Sequence, residues 1–380
     1  MKNKFLIPIL IVPFLFFFFS CKNKGGSSMD KVELDSLHVV SFAQDIEAAV
    51  INGDTSYYGN AFDQDLLRSQ LIENTIAFSS LDTPFGKYYF DRFFQRKGIS
   101  AVQSIQNGGD FKFVHYYVKE GKHHIVMRTY DDYTLQFDDW VVDLKDEQLK
   151  IVDGFSYTTS ATLIRDLTYY LQFHALEITN PKGVTPILVK ANSLLKAGNE
   201  KKALALLEKN KEQLKRYPSY WQIYLGALYE SQPDKYIERL NEIEADQFDE
   251  RSIHLHKLLY FANNGMSDST QKQIEALIPK TGDDPLYLFL YGKALSMEGE
   301  YQNALVCFEN IEKATPLLWD IWCERLELYS HLGDSNGFNE WAKKGTLAFN
   351  MTEDEVVEFI KLHFPGMAKG FLASIQKKTA

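Results

Sequence analysis

The stretch "PLYLFLYGKALSMEGEYQNALVCFENIEKATP", residues 285–316, decides how the C-terminal half of this chain is read. Apolar residues recur at helical spacing on both sides of the polar break "MEGEY". That pattern predicts two helices joined by a tight turn. Antiparallel helices approach closely only where side chains are small. Gly292 and Ala304 are the facing small pair, and Leu288, Leu295 and Phe308 fill the space around them. Gly299 ends the first helix, because a left-handed cap costs glycine little. Pro316 cannot continue the second helix, so the chain must turn. The break recurs as "NNGMSD" and "HLGDS", so that Gly265, Gly299 and Gly333 stand 34 residues apart. "KAGNE" places another at Gly198, 67 residues before Gly265 and one short of two periods.

A helix–turn–helix unit with this period resembles the tetratricopeptide repeat, a helical-hairpin solenoid. With Pro285 as position one, Leu288 takes the family's first anchor, usually Trp. Tyr291 and Gly292 take its Leu-Gly pair, and Leu295 its Tyr. Ala304 and Phe308 match the second helix, and Pro316 the terminal proline. Ile311 replaces the usual Ala, so looser packing is expected there. A first hairpin from about 184 matches at Ala191, Leu194, Gly198, Ala203 and Leu207. A last one from 319 has Trp322, Tyr329 and Gly333, with Phe338 where Ala belongs. Two degenerate units, around "WQIYLGALY" and "LLYFANNG", bring the total to about five hairpins over 184–351. Thr352 then caps "TEDEVVEFIKLHF", expected to cover the array's end together with the tail to 380. The resemblance implies that the first helices line a groove for a protein or peptide. By position that names Lys196, Lys293, Ser296, Glu327 and His331, a set of mixed charge. The aromatic residues Trp221, Tyr224, Tyr229, Trp319, Trp322 and Trp341 stand at helical spacing, which favours core over groove.

Residues 34–180 read differently. Amphipathic helices at "LHVVSFAQDIEAAVINGD", "DQDLLRSQLIEN" and "GKYYFDRFFQRKGISAVQSIQ" precede a switch to period two. "DFKFVHYYVKE", "KHHIVMRTYDD", "YTLQFDDWVVDL" and "QLKIVDGFSYTT" then predict a four-stranded antiparallel meander. The fold class expected is therefore an α+β domain followed by an all-α helical-hairpin solenoid, with the boundary at "TNPKG", 179–183. The helices-then-meander order resembles the nuclear-transport-factor-2-like fold. That family wraps a curved sheet around a cavity and includes isomerases, dehydratases and plain binding modules. The resemblance therefore implies, as an alternative function, a small-ligand receptor or acid–base enzyme with the repeats as its targeting module.

The candidate chemistry is sparse. His115, His123 and His124 fall near Asp131, Asp132, Asp138 and Asp139. A His–Asp pair can do acid–base work, but His123 and His124 must face opposite ways, and the aspartates are expected to be solvated. His254 and His256 do not share a helix face, so no metal site and no cofactor are expected. Cys307 and Cys323 are read either as a disulfide or as two small half-buried residues. The chain carries a net charge of −10 with no basic cluster, which argues against nucleic acid. It is 45% hydrophobic and 24% charged, a globular composition. "MKNK" followed by the uncharged "FLIPILIVPFLFFFF" and "SCKNKGGSS" resembles a bacterial lipoprotein signal, with Phe18 where Leu is usual. It implies cleavage after Ser20, lipidation of Cys21, a flexible tether over 21–33, and attachment to a membrane, the outer membrane being expected. An ordinary secretory signal is the other reading. With no reactive constellation in view, a non-catalytic binding scaffold at the periplasmic side is the function expected.

Overall fold

The computed structural model describes residues 34–74, 81–131, 134–171, 174, 183–243, 248–312 and 318–376. Cys21, Asp132 and Pro316 lie outside these residues. From Asp35 onward the chain forms one compact unit.

Four helices come first, α1 (Ser36–Ile51), α2 (Thr55–Asn60), α3 (Gln64–Asn74) and α4 (Pro84–Gln106). Asp35, Asp54 and Thr83 cap three of them, each accepting backbone N–H groups of the first turn. The strands β1 (Asp110–Lys119), β2 (Lys122–Asp131), β3 (Thr134–Lys145) and β4 (Gln148–Ser156) form the expected antiparallel meander. The sheet has five strands rather than four: β5 (Ala161–Thr162) pairs with the end of β4 before α5 (Leu163–Leu171) starts. A two-residue strand is too short to leave a period-two signature, so the sequence does not reveal it.

The helical region comprises α6 (Val184–Lys196), α7 (Glu200–Lys209), α8 (Lys211–Leu214), α9 (Pro218–Ser231), α10 (Pro233–Glu242), α11 (Glu250–Asn263) and α12 (Ser267–Thr281), then α13 (Pro285–Met297), α14 (Tyr301–Ile311), α15 (Trp319–Leu332), α16 (Ser335–Ala348), α17 (Glu353–His363) and α18 (Pro365–Gln376). Gly198, Gly265, Gly299 and Gly333 all have positive φ, between 63° and 82°, at the turns between paired helices. The periodic glycines of the sequence are thus positions where a side chain would be strained. At Gly292, a Cβ would lie 3.0 Å from Cys307 Cβ, 3.1 Å from Phe308 Cε2 and 3.4 Å from the Ala304 carbonyl oxygen. The close crossing of α13 and α14 therefore lies where the small residues predict it, with Ala304, Phe308 and Ile311 all buried. The last unit is closed by α17, whose Thr352–Glu355 capping box is complete, and by α18, which buries Phe371.

Leu288 departs from its expected role, being 38% exposed. The reason is that α13 buries Leu286, Tyr287, Phe289 and Leu290 instead, because it packs on the sheet as well as on α14. On one sheet face, Val126, Tyr130, Leu135, Phe137 and Tyr157 share a single core with Leu255, Leu258, Tyr287, Phe289, Trp322 and Leu326 of the helical region. On the other face, Trp140 donates Nε1–H to Tyr58 Oη at 2.8 Å and packs edge-on against Phe62. The sheet is a middle layer with helices on both sides. A second core, from Val184 to Tyr260, joins α6–α11 and holds Ala203, Trp221, Tyr224 and Phe248.

One buried ion group spans the seam. Arg128 of β2 has no exposed surface, and its guanidinium donates to Asp110 of β1 and to Asp284. Asp284 also caps α13, accepting from Leu286 N at 2.8 Å. Losing the cation strands two carboxyl groups, a change that typically costs about 3–5 kcal/mol. We expect Arg128→Met to lower urea-unfolding stability by about that much. Asp284→Asn is expected to cost less, since the amide keeps the cap and Arg128 keeps Asp110. An Arg128→Met loss under about 1 kcal/mol, the level of an exposed pair, would contradict this role.

Candidate functional site

The strand β3 carries two acids mid-strand, and alternation sends them to opposite faces. Both are buried, Asp138 at 5% and Asp139 at 2% exposure, contrary to the solvated position expected of them. The strand is interior to the sheet and covered on both sides, so neither carboxyl reaches a turn.

Asp139 faces the helical region. Its Oδ1 meets His124 Nδ1 at 2.8 Å, and its Oδ2 accepts from Tyr117 Oη and from the Arg251 guanidinium. Arg251 is held in turn by Asp249 and lies 3.9 Å from the Phe155 ring centroid. A His–Asp pair does form, yet both carboxyl oxygens are engaged in tying β1, β2 and β3 to α11. Burial and the adjacent Asp139 raise the Tyr117 hydroxyl well above its ordinary range. His123 points away and meets Tyr116 Oη at 2.8 Å. His115 stacks on Tyr117, and Asp131 accepts from Asn107.

Asp138 faces the other way, into a cleft of about 370 Å³ between the sheet, α4 and α5. The α4 residues Phe93, Arg96, Lys97 and Ser100 recur along one helix face and form one wall. Tyr58, Gln136 and Tyr170 add to the lining. Asp138 Oδ2 accepts from Gln136 Nε2 at 3.1 Å and lies 3.9 Å from Lys97 Nζ. Its Oδ1 is buried without a hydrogen-bond partner, and so is Oγ of Ser156, its cross-strand neighbour on β4. Lys97 Nζ sits 5.0 Å from the Trp140 ring centroid. Beside the cleft, Asp166 of α5 accepts from Thr159 Oγ1 at 3.0 Å. Burial pushes its carboxyl up to about 6, with Asp138 adding to the rise and Lys97 and Arg165 opposing it.

Of the five groove positions, Lys293, Glu327 and His331 gather around Glu324 on α13 and α15, while Lys196 lies apart. Lys196 lines a trough of about 410 Å³ between α6 and α9, with Val189, Asn192, Gln222 and Ile223. Glu327 lines a second depression, of about 530 Å³, between α15 and α17, with Trp319, Cys323, Glu324 and Phe359. Lys293 lies 3.9 Å from Glu324, whose carboxyl burial raises to about 7. His331 stacks on Tyr301 and lies 3.5 Å from Glu327, while Ser296 is half-buried and lines neither hollow. Of the helical aromatic residues, Trp221, Tyr224, Trp322 and Trp341 are core. Cys307 and Cys323 are free thiols, not a disulfide: Cys307 is buried against Gly292, and Cys323 opens toward the α15–α17 depression. His254 meets Gln273, and His256 meets Tyr236. Among the described residues, no three His, Cys, Asp or Glu side chains are grouped to hold a metal ion.

The resemblance implied a cavity on the sheet, but the residues of α4 and α5 that wall the cleft were not identified from the sequence. Its one visible signal is the pair of acids inside the apolar alternation "LQFDDWVV", where solvated residues do not belong. No family model matches this chain, and no curated protein matches it.

Asp166 supplies a pH test. Its folded value of about 6 stands above the ordinary 3.8, so between these values the folded state keeps a proton that the unfolded chain has released. The group's contribution to stability is therefore full below 3.8 and falls as pH rises to about 6, by roughly 3 kcal/mol. Asp166→Asn should flatten that fall in urea melts across the window. A carboxyl carbon resonance of Asp166 titrating near 4 would show that burial does not act as described.

Proposed function

We propose that this chain is a lipid-anchored binding scaffold at the periplasmic side of a bacterial membrane. Tetratricopeptide-like hairpins stand on a nuclear-transport-factor-2-like base and hold a protein or peptide without catalysis. The outer membrane is the membrane proposed, with Cys21 as the anchor. Among the described residues no helix is long and apolar enough to cross a membrane, so this reading assigns attachment to the N-terminal lipid.

One observation carries the reading. Helices α11–α18 share a core with the sheet, while α6–α10 pack with α11 in a second core and leave a trough between two first helices. The link back to the base runs through Arg165 and Tyr169 of α5, which both donate to the Arg216 carbonyl. Val189, 45% exposed, and Lys196 lie on the trough surface. An extended or helical segment of a partner fits such an open row better than a small molecule does, because a repeat array offers length rather than enclosure.

A photoreactive residue at Val189 in the native envelope tests this, with Leu347 as an exposed control on a second helix. The Val189 probe should give one discrete adduct, which Lys196→Glu removes while the melting temperature holds. Cys21→Ser should remove it too, by releasing the chain from the membrane. Equal adducts from both positions, or none from Val189, would argue against the scaffold.

A further inference from the structure

We propose that the cleft between α4, α5 and the sheet is a binding site for a small hydroxylated ring acid. Its hydroxyl would donate to Asp138 Oδ1, its ring would lie among Tyr58, Phe93 and Tyr170, and its carboxylate would face Arg96.

The site is independent of the trough in the helical region and sits on the opposite face of the sheet from the seam. A volume of about 370 Å³ falls in the range of small-ligand pockets. Its wall combines the rings of Tyr58, Phe93 and Tyr170 with polar side chains from α4 and the sheet, so it offers both stacking surface and hydrogen-bond partners. At the inner end, Asp138 is more than nine-tenths buried, its Oδ2 is engaged by Gln136, and its Oδ1 has no partner. A buried acceptor left without a donor is costly, so a ligand donor here is worth more than the same contact at a surface. Lys97 stands 3.9 Å from Asp138 Oδ2, so a ligand ammonium would meet a cation already in place. That selects a neutral donor. At the outer end, Arg96 is exposed, its guanidinium 5.9 Å from the Tyr170 ring centroid, and its fork suits a carboxylate. Aromatic rings between a donor-seeking floor and a cationic mouth define the ligand class.

Calorimetry on the full chain should compare 4-hydroxyphenylacetate, phenylacetate and 4-hydroxyphenethyl alcohol, which keep both ends or lack one each. The first should bind at least tenfold tighter than either of the others. Asp138→Asn should erase its advantage over phenylacetate. Arg96→Gln, on an exposed side chain that leaves the fold intact, should erase its advantage over the alcohol. Equal binding of all three, binding unchanged by both variants, or no heat from any of them would overturn the assignment. The Val189 adduct is unaffected in each case, so failure here leaves the scaffold reading standing.

Discussion

A fully buried arginine on the central sheet constrains the rest of the molecule. Arg128 is useful to the fold only if Asp110 and Asp284 reach it together, and Asp284 is the cap that starts α13. The charge group therefore sets where the helical region begins its contact with the sheet. Buried ion groups are weak sources of net stability, because desolvation offsets most of the attraction. Their effect is on alternatives: any other placement of α13 leaves a cation or an acid unpaired in an apolar seam. The apolar core around Val126, Phe137, Tyr287 and Phe289 supplies the driving force, and Arg128 supplies the register.

The same seam divides the helices between two cores. Helices α11–α18 share one core with the sheet, and a second core joins α6–α11. Asp139 and Arg251 add a polar clasp at the edge of the first core, with His124, Tyr117 and Asp249 satisfying the remaining groups. The opposite sheet face is closed less completely, and there the cleft around Asp138 keeps its unpaired oxygen.

How far these features were legible in the sequence follows from the range of the interactions involved. The periodic glycines were legible because a positive φ is a local demand that one residue type meets cheaply. The Gly292–Ala304 crossing was legible because helix spacing and turn length determine which residues of one hairpin meet. The meander was legible from its alternation, apart from β5, which is too short to alternate. Leu288 was misjudged because α13 is apolar nearly all round, and a helix buried on two sides has no single stripe to read. Arg128 and Asp284 are 156 residues apart, and nothing local marks either as half of a pair. The burial of Asp138 and Asp139 was hidden for the same reason, since what covers a strand comes from elsewhere in the chain.

Native-state hydrogen exchange under rising urea tests the central claim most directly, because it reads the opening of each element separately. The amides of Val126 and Phe137 in the sheet and those of Phe289 and Leu326 in the helical region lie in one core. The account predicts that all four merge into a single global opening with one urea dependence. Exchange of Phe289 and Leu326 through a separate, lower-energy opening, while Val126 and Phe137 stay protected, would contradict it.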